Sequence, residues 1–299
     1  MDISVVIPLY NEAESLPELF SWIERVMKEH NYTYEVIFVN DGSTDNSWEV
    51  IEELKQRSPH IRGIKFRRNY GKSPALYCGF HKAKGDVVIT MDADLQDDVD
   101  ACDAMIERYM AGCDIVYGVR RHRATDTFFK RTTALGFYKV MNALGANTVY
   151  NHADYRLMSR RALEGLAEFS EVNLFLRGIV PMIGYPSDVV YYDRKERAAG
   201  ESKYPLKKML SFAFEGITSF SVRPLKIATT LGIFSLLVCL AMLIYCIVSK
   251  ATGRAVAGWA SIGASVWALG GLQLFMLGII GEYIGKIYTE PKRRPRYII

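Results

Sequence analysis

Two stretches near the C-terminus restrict this chain more than any other feature: Ile227 to Val248 and Ala255 to Gly281 contain no charged residue. Each exceeds the roughly 20 apolar residues that a helix needs to cross a bilayer core. They predict two transmembrane helices, at about 227–248 and 256–281. Basic residues flank the pair unevenly. Lys203, Lys207, Lys208, Arg223 and Lys226 precede the first run, and Lys286, Lys292, Arg293, Arg294 and Arg296 follow the second, against Lys250 and Arg254 between them. Lysine and arginine collect on the cytoplasmic side, so both termini and the residues before the first run are expected in the cytoplasm. The opening Met1-Asp2-Ile3-Ser4 lacks the basic start of a signal peptide, and five cysteines without paired spacing suit a reducing compartment. A net charge of +4 fits contact with anionic lipid headgroups. No aromatic-basic interleaving of the kind that reads bases occurs, so nucleic acid is not expected as a partner.

Residues 1–200 behave differently, alternating charged and apolar stretches. Ile3 to Pro8 is a short apolar run suited to a buried strand. Ser15 and Glu18 form a capping-box pattern, with Leu16, Leu19, Phe20, Ile23 and Met27 following at helical spacing. Val36 to Val39, Ile61 to Phe66, Asp86 to Met91 and Ile115 to Val119 predict further strands, and a helix is expected to open at Ser73-Pro74 and close at Gly85. Strands separated by helices predict an α/β domain with a largely parallel sheet covered on both faces, in which ligands bind at the carboxyl ends of the strands. Residues 206–224 mix apolar side chains with Lys207, Lys208 and Arg223, and are expected as one or two interfacial amphipathic helices or an ordinary packed helix.

Polar clusters follow three of the strands: Pro8-Leu9-Tyr10-Asn11-Glu12, Asn40-Asp41-Gly42-Ser43 and Asp92-Ala93-Asp94-Leu95-Gln96-Asp97. A lone acidic residue there is commonly a helix cap, but three clusters at neighbouring strand ends outline a site. Two carboxylates flanking Ala93 repel each other unless a cation offsets them, and hard oxygen donors suit Mg²⁺ or Mn²⁺ on a diphosphate. No Gly-rich phosphate loop of the Walker or dinucleotide type is present, which argues against kinases, ATPases and dehydrogenases.

These motifs, with Arg68-Asn69-Tyr70-Gly71-Lys72, Asp154-Tyr155-Arg156-Leu157-Met158, Gly200-Glu201-Ser202-Lys203-Tyr204 and Gly281-Glu282-Tyr283-Ile284-Gly285-Lys286, resemble glycosyltransferase family two over nearly the whole chain. The resemblance points to its polyprenyl-phosphate branch, the bactoprenol glucosyltransferases and dolichyl-phosphate mannose synthases. It implies a GT-A catalytic domain over 1–205, the juxtamembrane segment 206–224, and the two spans with a basic tail over 225–299. It also implies transfer with inversion from a nucleotide sugar to a lipid phosphate such as undecaprenyl phosphate. By the same resemblance Pro8, Tyr10, Asn11, Glu12, Asp41, Lys72, Asp92 and Asp94 bind the donor, and Asp92, Asp94 and Gln96 hold the metal. Arg120, Arg131, Arg156, Ser202 and Lys203 fall on the acceptor side. Asp154 matches the position proposed as general base. The chain departs from the family in one place, where Asp98-Val99-Asp100 stands instead of prolines.

The chemistry leaves two roles open for Asp154. A phosphate nucleophile has a second pKa of about 6 and is mostly ionised near neutrality, so Asp154 either removes a proton or orients a partner such as Arg156. Glucose from UDP-glucose is the expected donor, with UDP-galactose, UDP-GlcNAc, UDP-aminoarabinose and GDP-mannose as alternatives. A polymerising synthase would carry a Q-x-x-R-W motif and more spans, and a catalytically inactive scaffold is hard to reconcile with intact Asp92, Asp94 and Gln96. Gly281 and Gly285 have the small-xxx-small spacing that permits close helix contact, including a homo-oligomer through the transmembrane helices.

Overall fold

The structure is a computed structural model and describes residues 2–121, 152–172, 175–193, 218, 221–252 and 258–299. These residues fall into two compact units, one holding the sheet, its helices and residues 294–299, the other holding the two long C-terminal helices.

The sheet unit begins with β1 (Asp2–Leu9), α1 (Leu16–Glu29), β2 (Thr33–Asn40), α2 (Ser47–Arg57), β3 (Ile61–Lys65), α3 (Lys72–Lys82), β4 (Val87–Thr90), α4 (Ala101–Met110) and β5 (Ile115–Arg120). It continues with β6 (His152–Ser159), α5 (Arg160–Ala167), α6 (Leu176–Met182) and β7 (Ser187–Tyr192). The seven strands form one sheet in the order β3-β2-β1-β4-β6-β5-β7. Neighbours pair in parallel except around β6, which runs antiparallel to both β4 and β5. The parallel expectation therefore holds with one reversed strand.

β1 is apolar on both faces because it lies near the middle of a covered sheet. Ile3, Val5 and Ile7 join a core with Leu16, Leu19, Ile23 and Met27 of α1. On the opposite face α3 approaches so closely that a side chain at Gly79 would overlap Val6. Two local expectations are corrected. Ser15 does not cap α1: a turn bonds Ser15 N to the Glu12 carbonyl, so Ser15 is already helical and its hydroxyl donates back to that same carbonyl at 2.9 Å. Gly85 does not end α3, which stops at Lys82; an added Cβ there would lie 2.7 Å from Asp2 O and Ser4 N, so the glycine serves the close passage of the chain over β1. Without prolines at 98–100, a turn from Asp98 to Ala101 leads into α4.

The second unit consists of α7 (Arg223–Ala251) and α8 (Trp259–Thr289). Both are long and apolar enough to cross a membrane: Arg223–Met242 has a mean hydropathy of 2.0 and Ala268–Thr289 of 1.4, and neither window is buried within the protein. α8 continues past the expected end at Gly281, and there Lys286 Nζ donates to Thr218 Oγ1 at 2.6 Å. Among the described residues, side chains added at Gly270, Gly278, Gly281 or Gly285 would meet nothing within 4 Å. Of residues 206–224, only 218 and 221–224 lie among the described residues.

Candidate active site

Because β1, β2 and β4 are parallel, Leu9, Asn40 and Thr90 reach the same edge of the sheet. The three polar clusters follow directly from these ends. Pro8 stands where β1 has run past its last pair with β4, Val6 with Thr90, a position compatible with its missing N–H. Asn11 adopts a left-handed backbone (φ 56°) and ties the first cluster to the second. Its N–H donates to Ser43 Oγ at 3.0 Å, and its Oδ1 accepts from Thr44 N at 2.8 Å. Glu12 N donates to Ser47 Oγ at 3.1 Å, and Tyr10 is exposed beside this loop pair.

Asp41 organises a third loop. Its buried carboxylate accepts from Tyr70 N at 2.7 Å and Gly71 N at 2.8 Å, while burial outweighs these donors and pushes its pKa above the ordinary value. The chain at 68–69 passes so near Gly42 that a Cβ would overlap the Arg68 backbone, and Gly42 has φ +68°. Only glycine meets both demands at no cost. This contact delivers Lys72 at the start of α3.

The reversed β6 supplies the other half. Thr90 pairs with Arg156, so Asp154 lies beyond the end of β4 at the site edge, and Thr90 Oγ1 donates to the Asp154 carbonyl. Asp154 is the hub of a charge cluster. Lys72 Nζ sits 2.7 Å from Asp154 Oδ2 and 2.5 Å from Asp92 Oδ1. Arg177 grips Asp154 with Nε on Oδ1 and Nη2 on Oδ2, both at 3.0 Å, and Arg156 Nη2 meets Oδ1 at 3.0 Å. Burial alone would raise the Asp154 pKa, but Lys72, Arg177 and Arg156 hold it well below the usual carboxylate range. Burial likewise opposes the Lys72 charge, and Asp154 and Asp92 outweigh it, raising its pKa.

Between these elements lies the Asp92–Asp97 loop, bent at Leu95 (φ 59°). Asp92 N donates to Asp97 Oδ2 at 3.1 Å, and Tyr192 OH donates to Asp97 Oδ1 at 2.6 Å. Burial, then repulsion from Asp92, pushes Asp97 up to about 6. Arg120 Nε donates to Tyr192 OH at 3.3 Å, joining β5 to the same network. Among the described residues no three His, Cys, Asp or Glu side chains converge as a closed metal cage. The donor set fits Mg²⁺ or Mn²⁺ in another way. These ions usually take one or two carboxylates and complete their shell from a phosphate ligand and water. Asp94 and the Gln96 amide oxygen suit that arrangement, with Asp92 engaged by Lys72.

Comparison with known proteins settles the family. The profile described as glycosyl transferase family 2 matches residues 4–166, and one described as GtrB C-terminal hairpin matches 223–287. An uncharacterized glycosyltransferase of Bacillus subtilis (strain 168), YkoT, is 52% identical, covering 99% of this chain and 90% of that protein. The bactoprenol glucosyl transferase of Shigella phage SfV is 41% identical, covering 100% of this chain and 98% of that protein. The chain belongs to glycosyltransferase family 2. The fold agrees: glucosyl-3-phosphoglycerate synthase from Mycobacterium tuberculosis superposes with a TM-score of 0.50 at 19% identity, over 73% of this chain and 78% of that one.

In this family 2 glycosyltransferase the sheet edge brings together Pro8, Asn11, Glu12, Asp41, Lys72, Asp92 and Asp154, and Arg120 joins them through Tyr192 and Asp97. Arg131, Ser202 and Lys203 lie outside the described residues. Arg156, expected on the acceptor side, is 1% exposed and pairs with Asp154 at 3.0 Å. Sequence reasoning missed Arg177, Asp97 and Tyr192. Asp97 was visible as the last acid of its motif; Arg177 and Tyr192 carried no local signal.

Proposed function

We propose that this glycosyltransferase moves a hexose, glucose from UDP-glucose, onto a polyprenyl phosphate such as undecaprenyl phosphate, with inversion, at the cytoplasmic membrane face. The single observation that supports it best is full-length identity of 41% to a protein described as bactoprenol glucosyl transferase, in a chain whose two long helices suit a lipid-linked acceptor. The catalytic domain ends near residue 205, the juxtamembrane segment follows, and α7 and α8 span the membrane with both termini cytoplasmic.

The reaction makes a bond from an acceptor phosphate oxygen to the anomeric carbon and breaks the bond to the nucleoside diphosphate, which leaves with the electron pair. The loops around Asn11, Glu12 and Asp41 bind the nucleoside, with Tyr10 exposed for a base to stack on. Asp94 and Gln96 would hold Mg²⁺ or Mn²⁺, which offsets charge on the leaving diphosphate. Lys72 presents its ammonium beside the same group, anchored by Asp92 and Asp154. Arg120 and Arg177 offset the repulsion between acceptor phosphate and donor diphosphate. Asp154 acts as the anion that fixes Lys72 and Arg177. Both of its oxygens are taken up by Lys72, Arg156 and Arg177, which favours this role over that of a base, and a phosphate with a second pKa of about 6 needs little help.

Purified protein incubated with labelled UDP-glucose, undecaprenyl phosphate and Mg²⁺ or Mn²⁺ should yield a labelled lipid that mild acid cleaves. Label transferred from another nucleotide sugar, and none from UDP-glucose, would replace the donor. No transfer from any sugar would leave the fold without the proposed activity.

A further inference from the structure

The last residues of the chain pack in the sheet unit, at the loop that forms the donor side of the site. Arg67 N donates to the Ile298 carbonyl at 3.1 Å. The Tyr297 ring stacks on Phe66, with centroids 4.9 Å apart and 8° between planes, and its hydroxyl shares a hydrogen bond with Cys78 of α3. Arg296 lies over the Tyr77 ring at 4.4 Å and donates to the Phe169 and Glu171 carbonyls at 3.3 and 2.6 Å.

Phe66 carries this contact inward. It is buried, and its ring meets Tyr70 edge-on at 5.8 Å. Tyr70 and Gly71 are the residues whose N–H groups Asp41 holds, and Lys72 follows at once. The path from Tyr297 to the bridging lysine thus runs through one ring, one loop and one helix start. Stacked and edge-on aromatic pairs are specific in geometry, so they fix the loop's position as well as covering apolar area.

We propose that Arg296 and Tyr297 are positioning residues for the donor: they brace loop 67–71 so that Asp41 and Lys72 stand where a nucleoside diphosphate needs them. A chain without this brace keeps its catalytic side chains but presents them on a looser loop, and donor affinity falls while acceptor affinity does not. The inference rests on the donor role proposed above for the Asp41 and Lys72 loops.

The test uses the full-length protein. Amide exchange at Tyr70 and Gly71 is measured without ligand, UDP affinity by calorimetry, and KM separately for UDP-glucose and lipid phosphate. Tyr297→Ala is expected to speed exchange at these two amides and to weaken UDP binding about 10-fold, the upper value for losing one aromatic pair. Its KM for UDP-glucose should rise in step and its KM for lipid phosphate stay unchanged. Tyr297→Phe keeps the stacked ring and should recover most of the donor affinity. Arg296→Ala, which spares the Phe66 stack, gives a second readout should Tyr297→Ala fold poorly, with a smaller shift in the same direction. Unchanged exchange and donor KM in both variants overturn the proposal, as does an equal rise in both KM values. Wild-type protein that fails to bind UDP overturns the donor assignment itself, whatever exchange shows.

Discussion

Replacing Asp154 with asparagine keeps the shape of the side chain and removes the charge that Lys72, Arg156 and Arg177 share. The three cations differ in how they bear the loss. Lys72 is 35% exposed and Arg177 48%, so water replaces much of what they lose; Arg156 is 1% exposed, and its Nε and Nη1 find no hydrogen-bond partner among the described residues. Breaking a buried ion pair from one side costs about 3–5 kcal/mol. An asparagine oxygen that still accepts from Arg156 puts the cost near the lower end, roughly 3 kcal/mol. In a domain of this size each kcal/mol moves Tm by about 2–4 °C, so the variant should melt roughly 6–12 °C lower. The sign of the pH dependence follows from the depressed pKa. The stabilisation is fully present above the unfolded value near 3.9 and is lost only as pH falls through the lower folded value. Between about pH 5 and 8, a window around the acceptor phosphate's second pKa of about 6, both the Tm gap and the ratio of kcat values should therefore be constant. Calorimetry in detergent and a kcat profile at saturating donor and lipid measure them. A kcat deficit that shrinks as pH passes about 6 would make Asp154 a base and refute this account.

Four further outcomes are expected. Asp94→Asn should remove turnover while leaving Tm near wild type, and excess chelator should reproduce the loss in wild type. Arg120→Ala should raise KM for lipid phosphate more than KM for the nucleotide sugar in steady-state assays, the outcome expected from the acceptor role proposed for it. Gly42→Ala should cost about 1–3 kcal/mol in denaturant unfolding from its φ of +68° alone, with weaker UDP binding because the Arg68 loop must move. Reporter fusions at Arg254 should report the outer face and fusions after Arg296 the cytoplasm; opposite results would separate the site from cytoplasmic nucleotide sugars.

The first half of the sheet and its polar edge were legible because each strand there is a short apolar run followed at once by its functional loop, as in Val36 to Asp41. β6 was not legible. Its sequence, His152 to Ser159, alternates weakly, and its direction is fixed by pairing with β4 and β5, which no local pattern encodes. That is why Asp154 could be matched to a family position, with Arg156 named as a partner, while Arg177 stayed hidden. Arg177 stands in a short helix interrupted by Pro181, where periodicity has too few residues to register. The tail residues Arg296 and Tyr297 fell in a basic segment that topology explained sufficiently, and aromatic stacking across more than two hundred positions leaves no mark in sequence. The Ser15 cap and the Gly85 stop show the opposite error: patterns with a local meaning were claimed by a turn and by a close backbone passage.

The reversal of β6 has a consequence for how such a chain can diversify. Arg120 at the end of β5 and Asp154 near the start of β6 both stand at the site edge, with residues 122–151 between them in the sequence. The register there is set by strand pairs, Tyr117 with Arg156 and Thr90 with Arg156. The strands on either side can therefore hold Arg120 and Asp154 at that edge while the sequence between them varies.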